Sequence, residues 1–166
     1  MKLLPLFAAT LCAVTLPARA HDIIRHANPN VPVATSVLIP AGMDLVVVSG
    51  VVPDVADPSA PIGSPQRFGD TATQAKSVLG KLARELGAYG LTMADVVKMN
   101  VFLVGDPRKK GEVDFQGLMQ AYMGLYGMRA MEKNLPARTT VQVAGLPSAA
   151  GALVEIEATA ARHPQE

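Results

Sequence analysis

Apolar residues recur at helical spacing in two segments of the chain. In the first segment the spacing is i, i+3, i+4, i+7, i+8 and i+11, which predicts a helix with one core-facing side. Its apolar positions are Ala75, Val78, Leu79, Leu82, Ala83 and Leu86. The sequence Thr71-Ala-Thr-Gln74 fits a capping box at the start, and Gly87 and Gly90 predict the end.

The second helical segment follows Asp114, a residue that favours the N-cap position. Gly127 marks its end. Its apolar stripe consists of Phe115, Leu118, Met119, Tyr122 and Tyr126. The methionine in this stripe is more typical of adaptable core or interface packing than of cofactor binding.

Runs of β-branched and apolar residues predict strands around these helices. Residues 34–39 and 45–49 flank a Pro-Ala-Gly-Met-Asp turn and predict a hairpin, and residues 96–104 predict a buried strand. Residues 53–69 contain four prolines and two glycines and predict a long exposed loop. Such a loop either overhangs a site or decorates the surface.

Two further strands near the carboxyl end alternate with period two. In the first, Arg138, Thr140 and Gln142 share one face, opposite Ala137, Thr139, Val141 and Val143; in the second, Leu153, Glu155 and Glu157 oppose Val154, Ile156 and Ala158. If these strands pair as a hairpin over residues 145–151, Arg138 shares a face with Glu155 and Glu157. The charged face is then either a functional site or a solvated surface with an ion pair worth at most about 1 kcal/mol.

The element order ββ, α, β, α, ββ predicts an α+β fold with two layers, a single sheet and two helices on one of its faces. The other face has no partner within the chain. Because residues 45–48 are apolar on both sides of their strand, we expect that face to be buried against another subunit, with Arg138, Glu155 and Glu157 at or near the interface.

Residues 1–20 have the pattern of a secretory signal peptide. Lys2 is followed by an apolar stretch over residues 3–16, and Ala18-Arg19-Ala20 is a small-x-small cleavage site. The alternative is an uncleaved signal anchor. We therefore expect a periplasmic or secreted protein with an irregular segment over residues 21–33, a single domain over residues 34–162 and a short tail over residues 163–166.

Composition narrows the chemistry of the mature chain. The only cysteine of the full chain, Cys12, lies in the predicted signal peptide, so the mature chain has none. The three histidines lie in the terminal segments, so we expect no metal site. Removing Lys2 and Arg19 reduces the 15 basic residues to 13, against 14 acidic residues. This balance gives no basic surface for nucleic acid, and no later segment is apolar enough to cross a membrane.

Several segments together resemble the Rid family, also called the YjgF family, of enamine/imine deaminases. The resemblance lies in the Pro-Ala-Arg-Thr-x-Val-x-Val block around Arg138, the Leu-Pro pair after it, and Val-Glu-Ile-Glu-Ala around Glu155. Ser49-Gly50, Gln74, Asp114-Phe115 and Tyr122 extend it over residues 34–162. It implies a chorismate-mutase-like α+β fold with a mixed sheet, and a homotrimer with three sites between subunits.

The resemblance also implies an activity: hydrolysis of 2-aminoacrylate and related imino acids to 2-keto acids and ammonia, without a metal or organic cofactor. By this match, Arg138 binds the substrate carboxylate and Glu155 orients or deprotonates the attacking water. Backbone groups around Thr140 and Gly50, which follows Ser49, position the imine nitrogen and the water.

The chain departs from the family pattern at three of these positions. Met119 stands where active deaminases commonly have asparagine, Ser36 where they often have tyrosine, and Thr140 where they often have cysteine. Met119 therefore favours a bulkier, more apolar imino acid, unless it serves only helix packing. The alternative function is a module that binds small carboxylates, or acts as a chaperone, with little or no turnover. Ribonuclease activity, proposed for some relatives, fits poorly with the near-neutral charge.

Overall fold

The computed structural model describes residues 22–127, 133–146 and 149–164, so the predicted signal peptide lies outside the described residues. Its two α-helices and six strands, in chain order, are β1 (Ile24–Ala27), β2 (Ala34–Leu38), β3 (Asp44–Val51), α1 (Thr71–Gly87), β4 (Val96–Leu103), α2 (Phe115–Tyr126), β5 (Ala137–Gln142) and β6 (Val154–Arg162). Short 3₁₀ turns cover Pro65–Arg67, Met93–Asp95 and Pro107–Lys109. No described helix is both long and apolar enough to cross a membrane.

The six strands form one mixed sheet in the order β1-β2-β5-β4-β6-β3. Strands β4 and β5 run parallel and are joined through α2, the usual connection for parallel neighbours. Strand β6 runs antiparallel to both β4 and β3. Both predicted hairpins are therefore wrong: β2 and β3 lie far apart in the sheet, and β4 separates β5 from β6. Alternation assigns residues to faces of a strand, but it carries no information about which strand lies next to it.

The first strand lies within the segment predicted to be irregular. Strand β1 pairs antiparallel with β2 and forms one edge of the sheet. The guanidinium of Arg25 donates hydrogen bonds to the carbonyls of Val96 (2.7 Å), Leu135 (3.0 Å) and Ala94 (3.1 Å). A charged donor that satisfies three backbone carbonyls holds this short edge strand in place.

Both helices are confirmed, although the start of α1 differs in detail. Asp70 is its N-cap and accepts a hydrogen bond from the amide of Thr73, so the predicted capping box at Thr71 is wrong. Thr71 and Gln74 are instead buried. Asp114 caps α2 as predicted and accepts a hydrogen bond from the amide of Gly117.

The two helices cover one face of the sheet, which confirms the predicted two-layer α+β fold. The core lies between these layers and includes Val78, Leu82, Leu86, Met99, Val101, Leu118, Tyr122 and Ile156. On the opposite face the apolar side chains stay open to solvent in the single chain: Val47 is 75% exposed and Leu45 is 54% exposed. This exposed apolar face agrees with the expectation that it needs a partner.

The long loop before α1 packs against the segment before β6. Arg67 holds it together by donating hydrogen bonds to the carbonyls of Pro58 and Ala60, each at 3.0 Å. Gly63 approaches Gly151 so closely that a Cβ on Gly151 would lie 2.7 Å from the Gly63 carbonyl oxygen. The loop therefore supports the start of β6.

Candidate functional site

Arg138 lies on the face of the sheet that the helices cover. In the parallel pair of β4 and β5, Arg138 is aligned with Met99 and Thr140 with Val101, and both β4 residues belong to the core. Aligned residues on neighbouring strands point to the same side of a sheet. The prediction that Arg138 shares a face with Glu155 and Glu157 is therefore wrong, because it depended on a hairpin that does not form.

The guanidinium of Arg138 packs against one side of α2. Its Cζ lies 4.2 Å from the centre of the Tyr122 ring and 6.0 Å from that of Phe115. Its Nη2 donates to the sulfur of Met119 at 3.4 Å, a weak hydrogen bond. Phe115, Met119 and Tyr122 are four and three residues apart, so they form one face of the helix. Helical spacing predicted this stripe, but only as a packing surface and not as a contact for Arg138.

Buried polar atoms without partners occur in this contact and on the same face of β5. In the described part of the chain, Nη1 of Arg138, the Tyr122 hydroxyl and the Thr140 hydroxyl are buried and make no hydrogen bond. Burial lowers the pKa of Arg138, against the opposing influence of Tyr122, and raises the pKa of the Tyr122 hydroxyl to about 12. Buried polar groups are nearly always satisfied in folded proteins, so three unsatisfied ones here mark a place for a ligand, water or another chain.

Glu155 lies on the other side of the sheet. It is aligned with Phe102 of β4, whereas its neighbour Ile156 is aligned with Val101 and belongs to the core. Its carboxylate lies against the backbone of Gly50: a Cβ at that position would be 1.9 Å from Oε1 of Glu155. The pairing of β3 with β6 is irregular between Val48 and Val51, which includes Gly50. The bulge and the missing side chain together make room for the carboxylate.

A recess with charged and polar side chains lies on the uncovered face of the sheet. Ser49 lines it together with Lys98, Asn100 and Glu157, and its volume is about 400 Å³. The amide of Asn100 donates to Glu157 at 3.3 Å, and the ammonium group of Lys98 donates to the hydroxyl of Thr139 at 2.8 Å. Glu157, which the sequence left without a role, therefore has a structural partner.

The predicted site residues thus fall into separate groups. Arg138, Met119 and Thr140 share the helix-covered face, whereas Glu155, Gly50 and Ser49 lie around the β3–β6 pair. Ser36 is exposed on β2, and two strands separate β2 from β6. A single chain does not bring Arg138 and Glu155 to one place.

Gln74 links the first helix to the strand that carries Glu155. Its side chain is fully buried; its amide nitrogen donates to the carbonyl of Gly69 at 2.9 Å, and its oxygen accepts from the amide of Leu153 at 2.7 Å. Leu153 precedes Glu155 by two residues, so Gln74 fixes the start of β6. These two hydrogen bonds give Gln74, one of the residues of the family pattern, a structural role.

A further charged pair lies in the loop between β4 and α2. Buried Asp106 accepts hydrogen bonds from Arg108, and Arg108 holds the pKa of that carboxyl below its ordinary value. The described residues contain no group of three or more His, Cys, Asp or Glu side chains that could hold a metal ion.

A family model with the description endoribonuclease L-PSP matches residues 29–162. Comparison with curated proteins gave no match. Similar solved structures include YyfB from Yersinia pestis, a protein of unknown function in the conserved Rid family. It shows 25% identity and a TM-score of 0.59 over 85% of this chain and 98% of that chain.

Two further structures resemble the chain. A YjgF/YER057c/UK114 family member from Mycobacterium tuberculosis shows 26% identity and a TM-score of 0.51, over 84% of this chain and 98% of that chain. TdcF from E. coli, solved with bound serine, shows 29% identity and a TM-score of 0.51, over 75% of this chain and 84% of that chain. The family match, together with the two-layer fold shared with these structures, shows that the chain belongs to the Rid family, also called the YjgF or L-PSP family.

Proposed function

We propose that the protein hydrolyses reactive imino acids to 2-keto acids and ammonia. The observation that carries this proposal is the state of Arg138: its guanidinium lies against the Tyr122 ring, has no carboxylate partner among the described residues and keeps a buried Nη1 without a hydrogen bond. A guanidinium with these contacts can bind a carboxylate through two parallel hydrogen bonds, and its partial burial strengthens the resulting ion pair. The serine bound to E. coli TdcF is itself a small carboxylate, which supports the same ligand class here.

The two charged groups of the reaction come from different subunits in this proposal. Since Arg138 and Glu155 lie on opposite faces of the sheet, one site can contain both only if a neighbouring copy supplies the second group. A heterologous interface joins two different surfaces and closes into a ring, as in the homotrimer that the family resemblance implies. The exposed apolar residues of β3, among them Val47, provide a surface for that assembly.

The chemistry then needs few groups. Arg138 holds the substrate carboxylate and withdraws charge from the adjacent imine carbon. Glu155 of the neighbouring copy accepts a proton from water as its oxygen bonds to that carbon, and the imine nitrogen takes up a proton to give a carbinolamine. Glu155 then transfers the proton of the carbinolamine hydroxyl to the nitrogen, and the carbon–nitrogen bond breaks to release ammonia and leave the 2-keto acid.

The wall beside Arg138 favours an imino acid with an apolar side chain. Phe115 and Met119 flank the guanidinium, and neither offers a strong hydrogen bond. Phe115 is 47% exposed and can cover a ligand side chain that enters from solvent. We therefore expect faster hydrolysis of imino acids derived from leucine or phenylalanine than of 2-aminoacrylate.

The test uses imino acids generated in solution by an amino-acid oxidase, with catalase to remove peroxide, and follows release of keto acid. Arg138→Ala should abolish acceleration over the spontaneous rate. Arg84→Ala is the matched control, because Arg84 is 67% exposed on α1 and pairs with Asp54 at 3.4 Å. Equal rates with and without the wild-type protein for small and bulky imino acids would disprove the proposal.

Subunit mixing tests the shared site separately. The Arg138→Ala protein should be inactive and the Glu155→Gln protein much slower than wild type, but unfolding and refolding them together in equal amounts should restore activity. In a random ring, about one quarter of the interfaces then join an intact Arg138 to an intact Glu155. Activity that stays at the level of the separate variants would show that the two groups do not meet between subunits.

One observation favours a second function, carboxylate binding without efficient turnover. The sulfur of Met119 takes an N–H of Arg138 at the helix position where active relatives commonly have an asparagine. Met119→Asn discriminates the two: a large gain in turnover with unchanged carboxylate affinity would favour the binding module, whereas lower turnover of bulky imino acids would favour the deaminase.

We also propose that the protein acts outside the cytoplasm, on the basis of the signal-peptide pattern in residues 1–20. Fractionation of cells that express the full chain should place a form beginning at His21 outside the inner membrane. A full-length form confined to the cytoplasm would refute this proposal.

A further inference from the structure

Met119 holds an unusual position among the methionines of the described chain. Its sulfur accepts a hydrogen bond from Nη2 of Arg138 at 3.4 Å, and the residue is only partly buried. Met93 and Met99 are buried in the core, with 7% and 0% exposure. Met123, one turn further along α2, is 51% exposed and provides a natural comparison.

We propose that Met119 is an oxidation site that controls ligand binding at Arg138: oxidation of its thioether by a peroxide-class oxidant weakens the binding of carboxylates. This inference rests on the proposed function, since it assumes that Arg138 binds a carboxylate. The sulfur lies 3.4 Å from a guanidinium nitrogen, so an opening that lets an imino acid reach Arg138 also lets the smaller hydrogen peroxide reach the sulfur.

The reaction is a two-electron transfer of oxygen. A sulfur lone pair attacks one oxygen of hydrogen peroxide, the O–O bond breaks, and the second oxygen leaves as water after proton transfer. The sulfur is oxidised to the sulfoxide while the peroxide is reduced. No metal or cofactor is required.

The product changes the surroundings of the guanidinium in two ways. A thioether sulfur is a weak acceptor, whereas a sulfoxide oxygen is polar and accepts strongly. That oxygen can bind an N–H of Arg138 and so compete with the ligand carboxylate. It also places a partial negative charge beside the ligand carboxylate and has no N–H to donate to it, unlike an asparagine at this position. Hydrogen bonds to charged groups are strong enough that their loss weakens binding about tenfold or more.

The experiment measures carboxylate affinity before and after oxidation of the full-length mature protein. The protein is treated with graded hydrogen peroxide and desalted, because residual peroxide would destroy a keto acid. It is then titrated calorimetrically with phenylpyruvate and with benzoate. Peptide mass spectrometry identifies each oxidised methionine. We expect one added oxygen on Met119, affinity reduced about tenfold or more, and recovery after treatment with methionine sulfoxide reductases.

Two variants make the result specific. Met119→Leu keeps the apolar volume but has no sulfur, so its affinity should not respond to peroxide. Met123→Leu keeps Met119 and should respond as the wild type does. Unchanged affinity in wild-type protein oxidised at Met119, or an equal loss in Met119→Leu, would overturn the inference. If untreated wild type binds neither carboxylate, the proposed function itself is wrong.

Discussion

Replacing Gly50 with alanine tests how closely the backbone of β3 controls the Glu155 carboxylate. A Cβ on Gly50 would lie 1.9 Å from Oε1 of Glu155, 2.8 Å from its Cδ and 3.2 Å from its Cγ. Ordinary van der Waals contact begins at 3.4 Å, so Oε1 must move by the difference, about 1.5 Å. Gly50 does not have a positive φ, so its backbone accepts alanine without strain.

A carboxylate displaced this far should lose most of its effect on the attacking water. Because a misplacement of about 1 Å can cost about 100-fold in rate, we expect kcat/KM for imino acid hydrolysis to fall about 100-fold or more. The Glu155 side chain can rotate away, so the free energy of unfolding should change by only about 1 kcal/mol. We thus expect a large loss of activity with only a small change in stability.

The assay compares steady-state hydrolysis with urea unfolding of the same protein. Gly124→Ala is the matched control, because a Cβ there meets nothing within 4 Å and the residue lies inside α2. It should keep full activity, and its free energy of unfolding should be about 0.5 to 1 kcal/mol higher than that of the wild type. The double variant Gly50→Ala/Glu155→Gln should be no slower than Glu155→Gln alone. Wild-type kcat/KM in Gly50→Ala, or a further 100-fold loss in the double variant, would refute the reasoning.

Four other substitutions test the surrounding framework by urea unfolding. Tyr122→Phe removes a buried hydroxyl without a partner and should cost nothing, whereas Tyr126→Phe removes a 2.8 Å hydrogen bond to a backbone carbonyl and should cost about 1 kcal/mol; equal losses would contradict this. Gln74→Leu leaves two buried backbone groups unpaired and should cost about 2 to 4 kcal/mol; a loss below 1 kcal/mol would show that other groups replace the amide. Hydrogen bonding to Arg108 holds the pKa of Asp106 below 3.8 in the folded protein, so its stabilisation is present above about pH 4 and lost as the pH falls through the folded-state pKa. Asp106→Asn should therefore be less stable than wild type at about pH 6, and the difference should shrink towards about pH 2.

Helical periodicity was enough to predict α1 and α2, because a side chain every three or four residues reports directly on one buried face. Leu82 and Leu118, both in the predicted stripes, are fully buried. The strand bounds were also close, as for the predicted strand over residues 34–39, observed as Ala34–Leu38. These features depend on neighbours along the chain, which the sequence contains.

Strand partners depend on contacts between distant segments, so the predictions were wrong there. The alternation in β5 suggested that Val141 faces the core and Arg138 faces away, yet Val141 is 43% exposed and Arg138 packs under α2. The physical reason is that the Tyr122 ring accepts a guanidinium on its face, which makes burial of Arg138 acceptable. The family resemblance identified Arg138 and Glu155, but only the strand register shows that they lie on opposite faces of the sheet.

The three hydrogen bonds of Arg25 determine when the first strand can form. Its partners include Val96, 71 residues further along the chain, and Leu135, 110 residues further along. During synthesis residues 24–27 emerge early, but their anchor is complete only after most of the domain has followed. Closing contacts over such separations is slow, so β1 should be among the last elements to gain protection from hydrogen exchange during refolding. The part of the domain that is synthesised first is then among the last to become stably folded.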